Sequence, residues 1–252
     1  MPYTTYKDTL TIKVFESRPL MGLAAANLVS EKIRDLLKTK QSINMIFAAA
    51  PSQNDFLDQL TMKDIEWNRI NAFHMDEYVG LNAEAPQGFG NFLKDRLFKK
   101  VPFRSVQYLN GNADDLEAEC ERYSNLLTSH PADIVCMGIG ENTHLAFNDP
   151  HVADFNDKHI VKIVDLDMEC RQQQVNDGCF DTIKEVPTHA LTLTIPTLLK
   201  PTYVYCIVPG EKKAKAVYQT LTKSITEKYP STILRKHPNA ILFIDEKSSV
   251  LI

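Results

Sequence analysis

Two short stretches hold the side chains best equipped for chemistry. The first is Phe73-His-Met-Asp-Glu-Tyr-Val-Gly-Leu81, where Asp76 and Glu77 directly follow an apolar run. The second is Gly138-Ile-Gly-Glu-Asn-Thr-His-Leu-Ala-Phe-Asn-Asp-Pro150. In it His144 has polar residues before it and Leu145-Ala146-Phe147 after it, and Asp149 follows in the next turn of chain. A carboxylate that reaches back to an imidazole fixes its tautomer and raises its basicity, as general acid–base chemistry requires. The same residues suit a plain loop, with His144 satisfied by loop hydrogen bonds and Asp149-Pro150 as turn chemistry. Asp76 equally suits an exposed turn or a helix N-cap. Spacing alone leaves these alternatives open. Gly138 and Gly140 allow a tight turn and close approach of backbone to a ligand. A dinucleotide fingerprint is disfavoured, because Thr143 stands where its third glycine is needed and the run lies in mid-chain.

These residues must be positioned by a fold, and the bulk composition bounds it. The chain has 252 residues, enough for one large α/β domain with a sizeable core. A formal net charge of −4 offers no basic excess for a nucleic-acid backbone. A few local cations still suffice for one phosphate group on a small substrate. The first residues, MPYTTYKDTLTIKVF, do not read as a signal peptide, and no apolar run reaches the ~18–20 residues of a membrane helix. The expectation is a cytoplasmic protein without nucleic-acid or membrane partners, compatible with a homo-oligomer. Cys120, Cys136, Cys170, Cys179 and Cys206 are scattered and form no C-x-x-C pair, so free thiols are expected rather than disulfides or a metal site.

Helical and strand signals alternate along the chain. Residues 16–39 carry apolar side chains at helical spacing, and helices are also expected over 53–62, 87–99, 114–127 and 211–221. Short apolar or β-branched runs at 43–50, 70–75, 133–137, 160–166, 190–195, 203–208 and 240–244 read as strands. Residues 76–80 read as a polar loop. The alternation predicts a single Rossmann-like α/β domain, its sheet mainly parallel and covered by helices on both faces. Ligands then bind outside the carboxyl ends of the strands, which directs attention to the exits at 48–53, 76–80 and 138–150.

The run G-I-G-x-x-x-H-L-A-F-N-D-P at 138–150 resembles the signature of the glucosamine-6-phosphate deaminase/isomerase family, related to the 6-phosphogluconolactonases. F-x-M-D-E-Y-V-G-L at 73–81 is similar to a second family motif. Further matches follow in family order at Leu109-Asn-Gly-Asn112, Val186-Pro187, Pro209-Gly-Glu-Lys-Lys-Ala214 and His237-Pro238. The resemblance implies the deaminase/ribose-5-phosphate isomerase/CoA-transferase-like fold. It implies ring opening of a hexosamine 6-phosphate, proton transfer between C1 and C2, and loss of ammonia, with no cofactor and no metal. On it Asp76 matches the proton-transfer carboxylate, His144 the ring-opening histidine and Asp149 its carboxylate partner. Lys213 falls on the phosphate-binding lysine, and Arg171 is the sole arginine offered where the family has its phosphate arginine.

The chain departs from that pattern at several positions. Asn142 replaces the acidic residue two before the histidine, and Thr143 replaces a glycine. An amide can orient an imidazole but carries no charge. Glu141 is adjacent, although neighbouring side chains of an extended segment point opposite ways. The family's glycine-rich phosphate loop is here Ala48-Ala-Ala-Pro-Ser-Gln53, leaving Ser52 and a helix start to hold an anion or simply to cap a helix. No activator site is expected from residues 151–155 and the chain's end at Ile252. A lactonase of the same fold and a non-catalytic sugar-phosphate sensor stand as the alternatives.

Overall fold

The structure is a computed structural model that describes residues 2–252. Its frame is an eight-stranded sheet. In chain order the strands are β1 (Tyr3–Lys7), β2 (Leu10–Phe15), β3 (Ile43–Phe47), β4 (Ile70–His74), β5 (Asp76–Tyr78), β6 (Ser105–Gln107), β7 (Ile134–Met137), β8 (Val161–Asp165), β9 (His189–Leu193), β10 (Tyr203–Val208) and β11 (Ala240–Asp245). The large sheet runs β1-β2-β11-β10-β7-β3-β4-β6. Only the β1–β2 hairpin in it is antiparallel; every other pair is parallel.

Side chains alternate across this sheet, and each face has its own core. Met45 and Phe47 join one core while Ile46 joins the other; Ile134 and Cys136 divide from Val135 and Met137 in the same way. The helices are α1 (Arg18–Leu37), α2 (Asn54–Thr61), α3 (Phe89–Leu93), α4 (Leu116–Ser129), α5 (Met168–Asn176), α6 (Ile195–Leu199) and α7 (Ala214–Thr222). Helix α1 buries Met21, Ala25, Val29, Ile33 and Leu37, one stripe at helical spacing, against the first core. Each fully buried Val, Ile or Leu of that stripe contributes about 1.5–3 kcal/mol. Helices α4 and α7 cover the opposite face through Cys120, Tyr123 and Leu127 and through Ala216, Val217 and Leu221. The expected two-faced α/β architecture is therefore present. The five cysteines are free.

Several local expectations are corrected. Residues 76–80 are not a loop throughout: Asp76–Tyr78 form β5, which pairs antiparallel with β9, and β9 pairs antiparallel with β8. The strands expected at 160–166 and 190–195 thus leave the parallel sheet and build a separate three-stranded one. A three-residue strand is too short to show periodicity, so sequence could not distinguish it from a loop. The helix expected over 87–99 divides into α3 and a π-helical turn, Lys94–Phe98. The N-terminal hairpin was not expected, although Leu10, Ile12 and Val14 alternate inward.

Candidate active site

Asp76 reaches the site because β4 ends in a wholly buried run and the chain then enters the small sheet, where Asp76 pairs with Thr192. The next residue, Glu77, accepts hydrogen bonds from the amides of Phe89 at 3.0 Å and Gly90 at 2.8 Å and so secures the start of α3. Asp76 differs: no side-chain hydrogen bond reaches it among the described residues, although it is only 7% exposed. Burial holds its carboxyl well above the usual carboxylate range, and the charge of Glu77 adds to the effect. Glu77 is also raised by burial, but its backbone amides pull the other way. Neighbouring acids are thereby separated into a structural group and an unengaged one.

The loop after β7 delivers His144. Its Nδ1 stands 2.7 Å from Asn142 Oδ1 and 3.0 Å from Asp149 Oδ1. Both neighbours accept, so Nδ1 carries the proton and Nε2 is left to act on a ligand. Asp149 is fully buried, and its carboxyl is lowered despite burial, chiefly through His144 and with help from Asn142 and the Asp167 amide. Asp149 thus reaches back to the imidazole, the arrangement left open by spacing. The ring lies close over Gly140. Thr143 adopts φ +74°, a left-handed conformation that a β-branched residue rarely tolerates. Its hydroxyl is buried without a partner. The glycine of the resembling motif at this position would meet the same backbone demand without strain.

The remaining predicted residues divide between the cleft and elsewhere. Ser52, Asp76, Gly138, Gly140, His144 and Lys213 line one cleft with Gln173, Gln174 and Asp177. Ser52 sits in the 3-10 turn Pro51–Gln53 ahead of α2 and accepts from Gln53 Nε2 at 3.2 Å. Lys213 lies in the turn Glu211–Lys213 ahead of α7 and is 6% exposed; its backbone N–H donates to the Gly210 carbonyl at 3.0 Å, while its Nζ makes no hydrogen bond or ion pair among the described residues. Burial lowers its pKa, with Asp177 and Glu141 opposing. A desolvated, unpaired ammonium in a cleft favours an incoming anion.

Arg171 is not brought to this cleft. Its Nη2 donates to the carbonyls of Ile183 at 2.7 Å and Val186 at 2.8 Å, closing the segment after α5. Glu141 does not replace the missing acid beside His144: its backbone N–H donates to Gln173 Oε1 at 2.7 Å and its own Oε1 has no partner. Sequence reading missed Gln173 and Gln174, although they sit in the run Cys170-Arg-Gln-Gln-Gln174 beside Arg171. It also missed Asp167, the N-cap of α5. An acidic residue just ahead of a helical run is the signal that marks such a cap.

Comparison with known proteins places the molecule first by class. The fold is shared with a 6-phosphogluconolactonase from Thermotoga maritima at a TM-score of 0.72 and 23% identity, over 94% of this chain and 99% of that one. Nearer is the structure of a monomeric glucosamine-6-phosphate deaminase, with a TM-score of 0.87 and 29% identity over 96% of this chain and 99% of that one. The family model for glucosamine-6-phosphate isomerases/6-phosphogluconolactonase matches residues 17–243, and the chain belongs to that family. Among its relatives, the glucosamine-6-phosphate deaminase of Streptococcus sanguinis is 34% identical over 92% of this chain and 94% of the relative. That of Bacillus cytotoxicus is 31% identical over 95% and 88%.

Proposed function

We propose that this chain deaminates and isomerises a hexosamine 6-phosphate, converting glucosamine 6-phosphate or its galacto epimer to the ketose phosphate and ammonia. The observation that carries the reading is an unengaged buried carboxyl, Asp76, sharing one cleft with an imidazole fixed in its Nδ1–H tautomer and with an unpaired buried lysine. His144 Nε2 serves ring opening by taking the proton of the C1 hydroxyl and passing it to the ring oxygen as the C1–O5 bond breaks. Asp76 then takes the C2 proton and returns it to C1 while nitrogen gives up one ammonium proton and O1 gains one, so the double bond moves from C1–O1 to C2–N. Water adds at C2 and ammonia leaves. A carboxyl with a raised pKa is a stronger base once ionised, and a substrate ammonium beside it favours that ionised form. Lys213 binds the phosphate, with Ser52 beside it. All five thiols are free, which fits a reducing, cytoplasmic setting.

The test is ammonia release from glucosamine and galactosamine 6-phosphates, run against hydrolysis of a sugar-acid phosphate lactone. Ammonia release without lactone hydrolysis supports the reading. The reverse outcome assigns the chain to the lactonase side of the family, and binding without turnover makes it a sensor.

A further inference from the structure

Asn142 is bonded on both ends of its amide. Its Oδ1 receives the His144 backbone N–H at 3.1 Å and faces His144 Nδ1 at 2.7 Å. Its Nδ2 donates to two carboxylates, Asp149 Oδ1 at 3.0 Å and Asp167 Oδ2 at 3.2 Å. The amide cannot be turned over, because a backbone N–H only donates and the carboxylates only accept. We propose that Asp167 is a positioning residue for His144 that acts through Asn142. Besides Asp149, which meets the ring directly, a second negative charge supporting the imidazole stands on the helix cap, one amide removed from the histidine.

The geometry supports this in two ways. Hydrogen bonds in series polarise one another, so two carboxylates drawing on the amide N–H groups make its oxygen a better acceptor for His144 Nδ1–H. A carboxylate at position 142 would instead face Asp149 and Asp167 at hydrogen-bond distance with no proton to share, and one of the three would have to stay protonated. Asn142 and Asp167 are therefore a matched choice. Asp167 is itself held in place: its Oδ1 accepts the Cys170 N–H at 2.6 Å, and its own N–H donates to Asp149 Oδ2 at 3.3 Å.

Other charges bear on the same groups. His151 Nδ1 lies 4.0 Å from Asp167 Oδ2, while its Nε2 meets Asp165 at 2.9 Å. The Cys170 thiol, a donor to Asp149, is pushed far up by burial and by Asp149 and Asp167. Across the cleft stand Asp76, Asp177 and Lys213.

The inference rests on the proposed role of His144, and its test is a charge swap with two readouts. The proteins are wild type, Asp167→Asn, Asn142→Asp and the double variant, assayed with glucosamine 6-phosphate; asparagine keeps the helix cap that aspartate provides. Asp167→Asn should lower kcat about tenfold with KM nearly unchanged. Asn142→Asp alone should lose at least as much, and the double variant should recover most of that loss. Losses that simply multiply in the double variant, or an unchanged kcat in Asp167→Asn, overturn the proposal. NMR titration of the His144 ring separates this from failure of the functional reading. With the Asp167 charge gone, protonation of that ring should require lower pH, and an identical titration in wild type and Asp167→Asn overturns the relay whatever the substrate.

Discussion

The His144 ring lies so close over Gly140 that a Cβ built on the glycine would stand 2.1–2.3 Å from three atoms of the imidazole. No side chain can occupy position 140 while the ring holds its place. Gly140→Ala should therefore displace the histidine from Asn142 and Asp149. The expected result is a fall in kcat of about 10²-fold or more, the scale of a lost acid–base group, in a protein that still folds. Circular dichroism with steady-state rates checks it, and a fully active Gly140→Ala would mean that the imidazole has no fixed role.

Asp76→Asn should lose activity by about 10²–10⁴-fold and gain stability. The sign follows from the raised carboxyl. The unfolded chain releases this proton near its ordinary pKa and the folded chain only at higher pH, so Asp76 costs stability as pH climbs from acid towards neutrality. Asparagine removes that cost. Melting curves should nearly coincide at about pH 4 and separate at pH 7 with the variant higher, by about 2–4 °C for each kcal/mol. A variant less stable at pH 7 would show that the carboxylate has a partner.

Lys213→Met should raise KM for the sugar phosphate with a smaller change in kcat. Burial lowers the lysine pKa, so the folded state resists its charge at neutral pH and the penalty fades only as pH rises towards the free-lysine value. The ligand-free variant should melt no lower than wild type. Inorganic phosphate should raise the melting temperature of wild type and leave the variant unmoved. Arg171→Ala is the contrast: it strips donors from the Ile183 and Val186 carbonyls and should cost about 1–3 kcal/mol of stability without raising KM.

Thr143→Gly should stabilise the loop. The present residue stands at φ +74° with an unpartnered buried hydroxyl. Backbone strain of about 1–3 kcal/mol outweighs the ~0.5–1 kcal/mol entropy cost of glycine. A net rise of roughly 1 kcal/mol in denaturant unfolding, with kcat unchanged, is expected. A loss of stability would mean that the threonine methyl packs better than its backbone suffers.

What the sequence disclosed depended on how local the physics was. The parallel strands and the long helix α1 show in apolar runs and helical spacing because each buries its own face. Asp76, His144 and Asp149 stand out in the sequence, and the structure brings Asp76 and His144 to one cleft with Asp149 against the imidazole. The small sheet was hidden, since β5 is three residues long and its partner β9 lies far along the chain. Arg171 was misread because side-chain type suggested an anion, whereas its hydrogen bonds go to carbonyls across the α5 segment. Asp167 was invisible for the converse reason. A helix-capping aspartate looks ordinary in sequence, and its proximity to Asn142 exists only after the β7 loop and α5 are packed together.

Asp76 rides on the three-stranded sheet, while Lys213 follows β10 of the eight-stranded one. A molecule gripped by both is a cross-brace between separately hydrogen-bonded halves. Its arrival should be felt as slower opening of the smaller half, so amide protons of β5 and β9, remote in sequence from the lysine, should exchange more slowly with deuterium once the cleft is filled.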